Sequence, residues 1–172
     1  MAADAPDSAD SPLQIRTYRP DDQATVLRLY EEGLLAGQVR ANDTGADLDH
    51  VEAAYFDSER HHFWIAELEG KVAGMIGVNA DEEHTAEVRR LRVEPGFVNP
   101  IEIAERLLWT AIDHCKRHGF LKVRLDTSFE KHAAVGLFDS VGFQHTRTKT
   151  VQGKELLEFY VDLYRDPQQD EA

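Results

Sequence analysis

The segment from Thr85 to Gly119 constrains the fold most, because an alternating strand leads through a short turn into a long amphipathic helix. Polar and apolar residues alternate from Thr85 to Val93, which predicts a strand. Alternation places Glu87, Arg89 and Leu91 on the same face of that strand. The helix carries one apolar stripe, formed by Ile101, Ala104, Leu107, Leu108, Ala111, Ile112 and Cys115. A sheet with a helix packed on its face is therefore expected.

The other segments predict the elements that complete this architecture. A first strand is expected over Leu13–Tyr18, followed by a helix that begins near Asp21 and ends at Gly37. A short helix from about Leu48 to Phe56 could form one wall of a pocket, and Glu69-Gly70-Lys71 reads as a hairpin turn. After the long helix come a strand in FLKVRLDT, a helix in EKHAAVGLFDSVG, and strands in FQHTRTKTV and ELLEFYVDLY. This order predicts an α/β (α+β) fold with a mixed sheet.

The length of 172 residues suits one domain, which we place at 13–164. Residues 1–12 are expected to form a disordered acidic tail, and residues 165–172 a flexible C-terminal tail. The N-terminal residues have neither a basic start nor an apolar stretch, so no secretory signal is expected. No apolar run approaches the length of a membrane span, and the lone Cys115 fits a reducing cytoplasm.

The formal net charge of -13 bears on the partners. It argues against nucleic acid, because phosphate binding needs a basic face. It favours a cationic small molecule or a basic peptide, although a negative surface also serves solubility alone. A nucleotide-like cofactor would need local positive charge, for which the candidates are Arg89, Arg90, Arg92 and Arg106.

Three segments in order resemble the GNAT superfamily of acyl-CoA-dependent N-acetyltransferases. The segment FWIAELEGKVAGMIGV resembles the central hairpin of that family, and EVRRLRVEP with AERLLWTAIDHCKRHGF resembles its strand–helix cofactor unit. The segment LDTSFEKHAAVGLFDSVGF resembles its terminal strand–helix motif. The resemblance implies a mixed, mostly antiparallel central sheet flanked by helices. It also implies transfer of an acetyl group from acetyl-CoA to an amine acceptor, with a homodimer left open.

The resemblance assigns candidate residues on the strand Thr85–Val93. The backbone N–H groups of Leu91 and Val93 would face pantetheine and the thioester, where a hydrogen-bond donor stabilises developing negative charge. Glu87 matches a position where some members carry a glutamate that accepts the proton of the amine. The alternative is that Glu87 is a carboxylate paired with Arg89 or Arg124.

The turn after this strand departs from the family, whose members place glycines and a basic residue there to hold pyrophosphate. The candidate cofactor contacts are Val98, Asn99, Ile101, Ile103 and Ala104 in the turn and first helical residues, and Lys131 near the last helix. Asn99, Pro100 and Glu102 predict a helix start with a capping box, which would use amides that a phosphate needs. Weaker cofactor binding than is usual for the family is therefore expected.

The terminal motif departs as well, since Phe138 stands where many members have a tyrosine that protonates the leaving thiolate. Phe138 is expected in the core, and Tyr160, Tyr164, His132 or water would then supply the proton. A catalytically inactive GNAT-fold binding module is the main alternative. A metal-dependent hydrolase is disfavoured because no histidine spacing, including that of His114 and His118, resembles a standard zinc site.

Overall fold

The computed structural model describes residues 12–35, 44–128, 132–151 and 153–163. The strands are β1 Leu13–Thr17, β2 His62–Leu68, β3 Lys71–Ala80, β4 Thr85–Val93, β5 Lys122–Ser128, β6 Gln144–Val151 and β7 Lys154–Asp162. The helices are α1 Gln23–Glu32, α2 Val51–Tyr55, α3 Pro100–Arg117 and α4 His132–Val141. Short 3₁₀ turns at Pro20–Asp22 and Ala46–His50 precede α1 and α2. The predicted domain bounds of 13–164 and the two tails stay predictions.

The strands form a single sheet in the order β1-β2-β3-β4-β5-β7-β6. Among the strands of the described residues, β4 and β5 are the one parallel pair, and the other neighbouring pairs are antiparallel. The β2–β3 hairpin turns at Glu69 and Gly70, which both have positive φ, as the favoured two-residue turn requires. The predicted mixed, mostly antiparallel sheet flanked by helices is confirmed.

Two apolar cores lie on opposite faces of the sheet. The larger core joins α3 and α4 to the sheet, and it includes Leu107 and Leu108 with Phe138. The smaller core packs residues of α1 and α2, such as Val26 and Tyr55, against β2 and β3. Full burial of one such apolar side chain contributes about 1.5–3 kcal/mol. Within the described residues, the smaller core takes none of its members from β5, β6 or β7.

Local periodicity was wrong about the end of α1. The helix ends at Glu32 rather than Gly37, and Leu34 lies in an isolated bridge with Val93 instead of in the helix. Its buried residues are Val26 and Leu29, whereas Leu27 is exposed.

The predicted stripe of α3 was nearly complete, with one error at its start. Ile101 is 40% exposed, and the buried set instead includes Ile103 and His114. A helical period identifies a face, but it does not say how far along the helix that face is covered. None of the helices in the described part of the chain is long and apolar enough to cross a membrane.

Candidate active site

Strands β4 and β5 separate in the middle of the sheet. They pair at Thr85–Lys122, Ala86–Val123 and Glu87–Arg124, and no further pair joins them within the described residues. Both strands nevertheless continue, β4 to Val93 and β5 to Ser128. The far edge of β5 stays paired with β7 along its whole length. The result is a V-shaped gap, here called the β4–β5 opening, along which the two strands no longer pair with each other.

A β-bulge in β4 accounts for this separation. The ladder pairs Gly77 with Arg89 and Met75 with Arg92, so a single β3 residue faces two residues of β4. The first of the two, Arg90, has φ +62, a left-handed conformation that non-glycine residues rarely adopt. Bulges bend a strand and increase its twist. Here the bend begins just beyond the last β4–β5 pair.

The bulge also shifts the alternation of β4, so side chains beyond Arg90 lie on the face opposite to the one that strict alternation predicts. Glu87 and Arg89 lie on the α1 and α2 face, but Leu91 and Val93 join the core beneath α3. The prediction that Leu91 shares a face with Glu87 and Arg89 was therefore wrong. A signal was present, because the adjacent arginines Arg89 and Arg90 interrupt a strand that should alternate.

Glu87 lies at the base of the β4–β5 opening and is 7% exposed. Its carboxylate oxygens are 3.4 Å from Nη2 of Arg124 and 3.8 Å from Nε of Arg89. Arg124 also contacts Asp81 at 2.9 Å. Both arginines named in the alternative interpretation are thus neighbours of Glu87. Its role as a proton acceptor stays a prediction.

Two further buried carboxylates line the same face beyond Glu87. Asp126 on β5 stands directly opposite Glu158 on β7, and Lys149 Nζ lies 3.3 Å from the first and 3.1 Å from the second. Burial alone would raise the pKa of Glu158, but the hydrogen bonds and charges of Lys149 and Arg147 outweigh it and lower that pKa. Among the described residues, Oδ1 of Asp126 is buried without a hydrogen-bond partner, so it can still accept a donor.

The backbone of Val93 is engaged on its open edge. Its N–H donates to the Leu34 carbonyl at 3.2 Å, and its own carbonyl accepts from the Leu34 N–H at 2.8 Å. The expectation that the Val93 N–H faces pantetheine is therefore not met in this conformation. Leu34, which follows α1, therefore pairs with the edge of β4 through an isolated β-bridge.

The turn between β4 and α3 is more open than the sequence suggested. Gly96 has φ +100, a Cβ added there would meet none of the described atoms within 4 Å, and Val98 is 91% exposed. Asn99 is the N-cap of α3, but its side chain makes no capping hydrogen bond. The predicted capping box was wrong, because Asn99 has φ -123 and ψ 72 rather than the extended conformation that such a box uses. The N–H groups of Ile101 and Glu102 at the helix start keep their capacity to bind an anion.

The remaining predicted cofactor residues are two at the start of α3 and one near α4. Ile103 and Ala104 are buried in the first turns of α3, where only their backbones could approach a ligand, and the Ile103 N–H already donates to the Asn99 carbonyl at 3.2 Å. Lys131 lies outside the described residues.

Most of the arginines considered as sources of positive charge for a cofactor are bound to other groups of the protein. Arg90 and Arg92 are buried against α1, with the Arg92 Nε donating to the Tyr30 carbonyl at 3.2 Å. Arg106 donates to the Leu13 carbonyl at 3.0 Å. The proposal that Arg90 and Arg92 supply positive potential for phosphates was wrong, since their guanidinium groups are enclosed by the protein.

Phe138 is fully buried, as expected, with its ring 5.6 Å from Phe159 and 6.1 Å from Phe143. Tyr160 is half-buried and stands opposite Arg124 in the ladder, on the face that carries Glu87. Burial, followed by the charge of Glu158, raises the pKa of Tyr160, so its hydroxyl keeps its proton. Tyr164 lies outside the described residues.

Three imidazoles meet at the opposite end of α3. The His114 ring lies 5.6 Å from that of His62 and 4.3 Å from that of His118. Nε2 of His114 donates to the Arg60 carbonyl at 2.9 Å, and Nε2 of His62 is 2.9 Å from Thr17 Oγ1. No set of three or more potential ligands in the described part of the chain is arranged to hold a metal ion.

Comparison with known proteins gives a consistent family. The model of the Acetyltransferase (GNAT) family matches residues 31–143. The probable N-acetyltransferase camello of Xenopus tropicalis is 31% identical over 123 residues, which are 69% of this chain and 56% of that protein. The mouse N-acetylaspartate synthetase is 33% identical over 100 residues, which are 58% of this chain and 33% of that protein. The chain thus spans about half, or less, of the length of these relatives.

Solved structures agree on the fold. An acetyltransferase from Streptococcus agalactiae superposes with a TM-score of 0.73 at 19% identity, covering 88% of this chain and 99% of its own. The Salmonella typhimurium protein yncA, solved with its cofactor acetyl-CoA, superposes with a TM-score of 0.71 at 20% identity, covering 91% of this chain and 97% of its own.

Proposed function

Because this chain belongs to the GNAT family of acetyltransferases, we propose that it transfers an acetyl group from acetyl-CoA to a primary amine of a small molecule or peptide. The observation that carries the proposal is the β4–β5 opening, which leads toward the start of α3. An extended pantetheine arm fits beside the released edge of β4, and a pyrophosphate fits at the helix start.

On the cofactor side, the amides of Ile101 and Glu102 are the donors best placed for pyrophosphate. Val98, Asn99, Ile103, Ala104 and Lys131 complete the proposed contact set. The carboxylate of Glu102 in the first turn opposes an anion there, with an interaction of roughly 0.3–1 kcal/mol. We therefore propose acetyl-CoA affinity below that of a glycine-rich turn.

The bridge between Leu34 and Val93 competes with pantetheine for the edge of β4. Replacement of Leu34 by proline removes the N–H that donates to Val93 at 2.8 Å. Since one backbone hydrogen bond is worth about 1 kcal/mol, affinity for acetyl-CoA should rise about fivefold. Titration calorimetry measures it, with Leu34→Ala as the matched control that keeps the N–H. Equal affinities in the two variants would show that the bridge does not oppose the cofactor.

The chemistry requires that the amine nitrogen attack the thioester carbon, that the carbon–sulfur bond break, and that the amine lose a proton. Glu87 at the base of the opening is the proposed proton acceptor, directly or through water. The Leu91 N–H beside the bulge is the proposed donor to the carbonyl oxygen. Tyr160 is the proposed donor to the departing thiolate, since Phe138 has no proton to give.

The face around Glu87 suits an acceptor that arrives as an ammonium ion. Glu87, Asp126 and Glu158 are three buried carboxylates, and Oδ1 of Asp126 lacks a donor in the described structure. These carboxylates already pair with four cations, namely Arg89, Arg124, Arg147 and Lys149, so Oδ1 of Asp126 is the acceptor proposed for an incoming ammonium group. One relative is named as a synthetase of N-acetylaspartate, so aspartate belongs among the amines to be tested.

A non-catalytic binding module is the second candidate, and the Leu34–Val93 bridge favours it because it closes one end of the pantetheine edge. Melting of the protein with increasing acetyl-CoA separates the two. At one hundred times the dissociation constant, a binder gains about 2.7 kcal/mol of stability. Release of free thiol is then followed with aspartate, a polyamine and a peptide as acceptors. No thermal shift at millimolar acetyl-CoA would overturn the enzyme proposal.

A further inference from the structure

The bulge of β4 depends on an unfavourable backbone conformation at a residue that is not glycine. Arg90 has φ +62, and it is 1% exposed despite its charge. Glycine adopts this conformation without steric cost, whereas a residue with a side chain needs surrounding contacts that hold it there. The contacts of Arg90 are therefore the part of the structure that maintains the bulge.

Among the described residues, Arg90 forms an ion pair with Asp47, which precedes α2 in the 3₁₀ turn Ala46–His50. Nε and Nη2 of Arg90 both donate to its carboxylate, at 3.0 Å and 2.5 Å. The Tyr55 hydroxyl donates to the same carboxylate at 2.5 Å, and the Tyr30 ring lies 4.9 Å from the guanidinium carbon. A two-pronged pair of this kind fixes orientation as well as distance.

Asp47 is adapted to this pairing. Burial would raise the pKa of its carboxyl, but the hydrogen bonds from Arg90 and Tyr55 outweigh that effect and lower it. The carboxylate thus stays ionised at neutral pH and remains a full partner for the buried guanidinium. Removing one member of such a pair leaves the other charge buried and uncompensated.

The conformation of Arg90 sets the orientation of the next peptide group, which lies close to the proposed reacting atoms. Leu91 follows Arg90 directly, and its N–H is the proposed donor to the thioester oxygen. We propose that Asp47 is a positioning residue for acetyl transfer, because its carboxylate holds Arg90 in the left-handed conformation that orients the Leu91 amide. This inference rests on the proposed function. It also links the segment before α2 to the strand that would carry the cofactor.

The test compares substitutions that differ in backbone freedom at position 90. Asp47→Asn should lower kcat at least tenfold, while the dissociation constant of CoA, which has no thioester, changes less than threefold. Arg90→Ala should behave in the same way. Arg90→Gly should stay within threefold of the parent, because glycine keeps the bulge without a partner. The double variant Asp47→Asn with Arg90→Gly should recover to the level of Arg90→Gly.

Asp49→Asn is the matched control, an exposed acid in the same 3₁₀ turn. Turnover is measured per folded molecule, so a loss of stability alone changes neither kcat nor the difference between Arg90→Ala and Arg90→Gly. The proposal is overturned if the double variant is no better than Asp47→Asn, or if alanine and glycine at position 90 are equivalent. A parent that binds CoA without transferring acetyl overturns the proposed function instead. Hydrogen exchange at the Leu91 amide in the same variants then decides whether Asp47 holds the bulge.

Discussion

Acidification from pH 6.5 to pH 5 should lower the free energy of unfolding by about 1.6 kcal/mol through His114 alone. His114 is 4% exposed, and burial, opposed in part by its hydrogen bond to the Arg60 carbonyl, lowers its pKa to about 4. The unfolded chain therefore takes up a proton near pH 6.5, whereas the folded chain does not until about pH 4. Stability is constant above this window, falls within it by about 1.4 kcal/mol per pH unit, and levels off below it.

The surroundings of His114 make protonation costly for reasons beyond burial. A further positive charge there is also disfavoured by His118, which directly follows α3, by His62 on β2 and by Arg117 at the end of α3. His62 adds to the effect, because burial and the charges of His118 and Arg117 lower its pKa as well.

Buried carboxylates change the stability at a lower pH than the histidines do. Asp22, Asp47 and Glu158 have lowered pKa values, so their stabilising contribution is lost only as the pH falls below about 4. The interval from pH 6.5 to pH 5 therefore reports mainly on the histidines.

Urea unfolding at pH 7, 6 and 5 measures the effect. In His114→Gln the slope of stability against pH should be about 1.4 kcal/mol per unit smaller than in the parent. His84→Gln is the control, because its side chain is exposed and it should follow the parent. A His114→Gln variant with the parental slope would place the acid sensitivity elsewhere.

The elements of this fold could be predicted from sequence because their signals are local. The hairpin at Glu69 and Gly70 follows from turn chemistry, and α3 follows from the spacing of its apolar residues. Phe138 was correctly placed in the core because apolar character suffices for that prediction.

The features that shape the site depend on contacts between distant segments. Asp47 and Arg90 are 43 positions apart, and Leu34 and Val93 pair across the whole of β2 and β3. No period or local motif encodes such a pair. The capping box at Asn99 shows the opposite failure, since a matching local sequence did not determine the backbone angles at the helix start.

Replacement of Glu87 by glutamine should lower turnover more than tenfold if Glu87 accepts the proton of the amine. Glutamine preserves the size of the side chain but accepts no proton at neutral pH. Binding of CoA should change less than threefold, because the start of α3 is untouched. The competing interpretation makes Glu87 an ion-pair partner, supported by its distances of 3.4 Å to Arg124 and 3.8 Å to Arg89.

Asp81→Asn separates these interpretations, because Asp81 contacts the same Arg124 at 2.9 Å but lies outside β4, before its first residue. If Glu87 is the base, Glu87→Gln loses turnover per folded molecule and Asp81→Asn keeps it, whatever either variant loses in stability. The pH profile adds a second criterion, since removal of the base should abolish the rise of kcat/KM on the acidic limb. If both variants lose stability alike and retain parental turnover at every pH, Glu87 serves as a partner of Arg124 and takes no part in proton transfer.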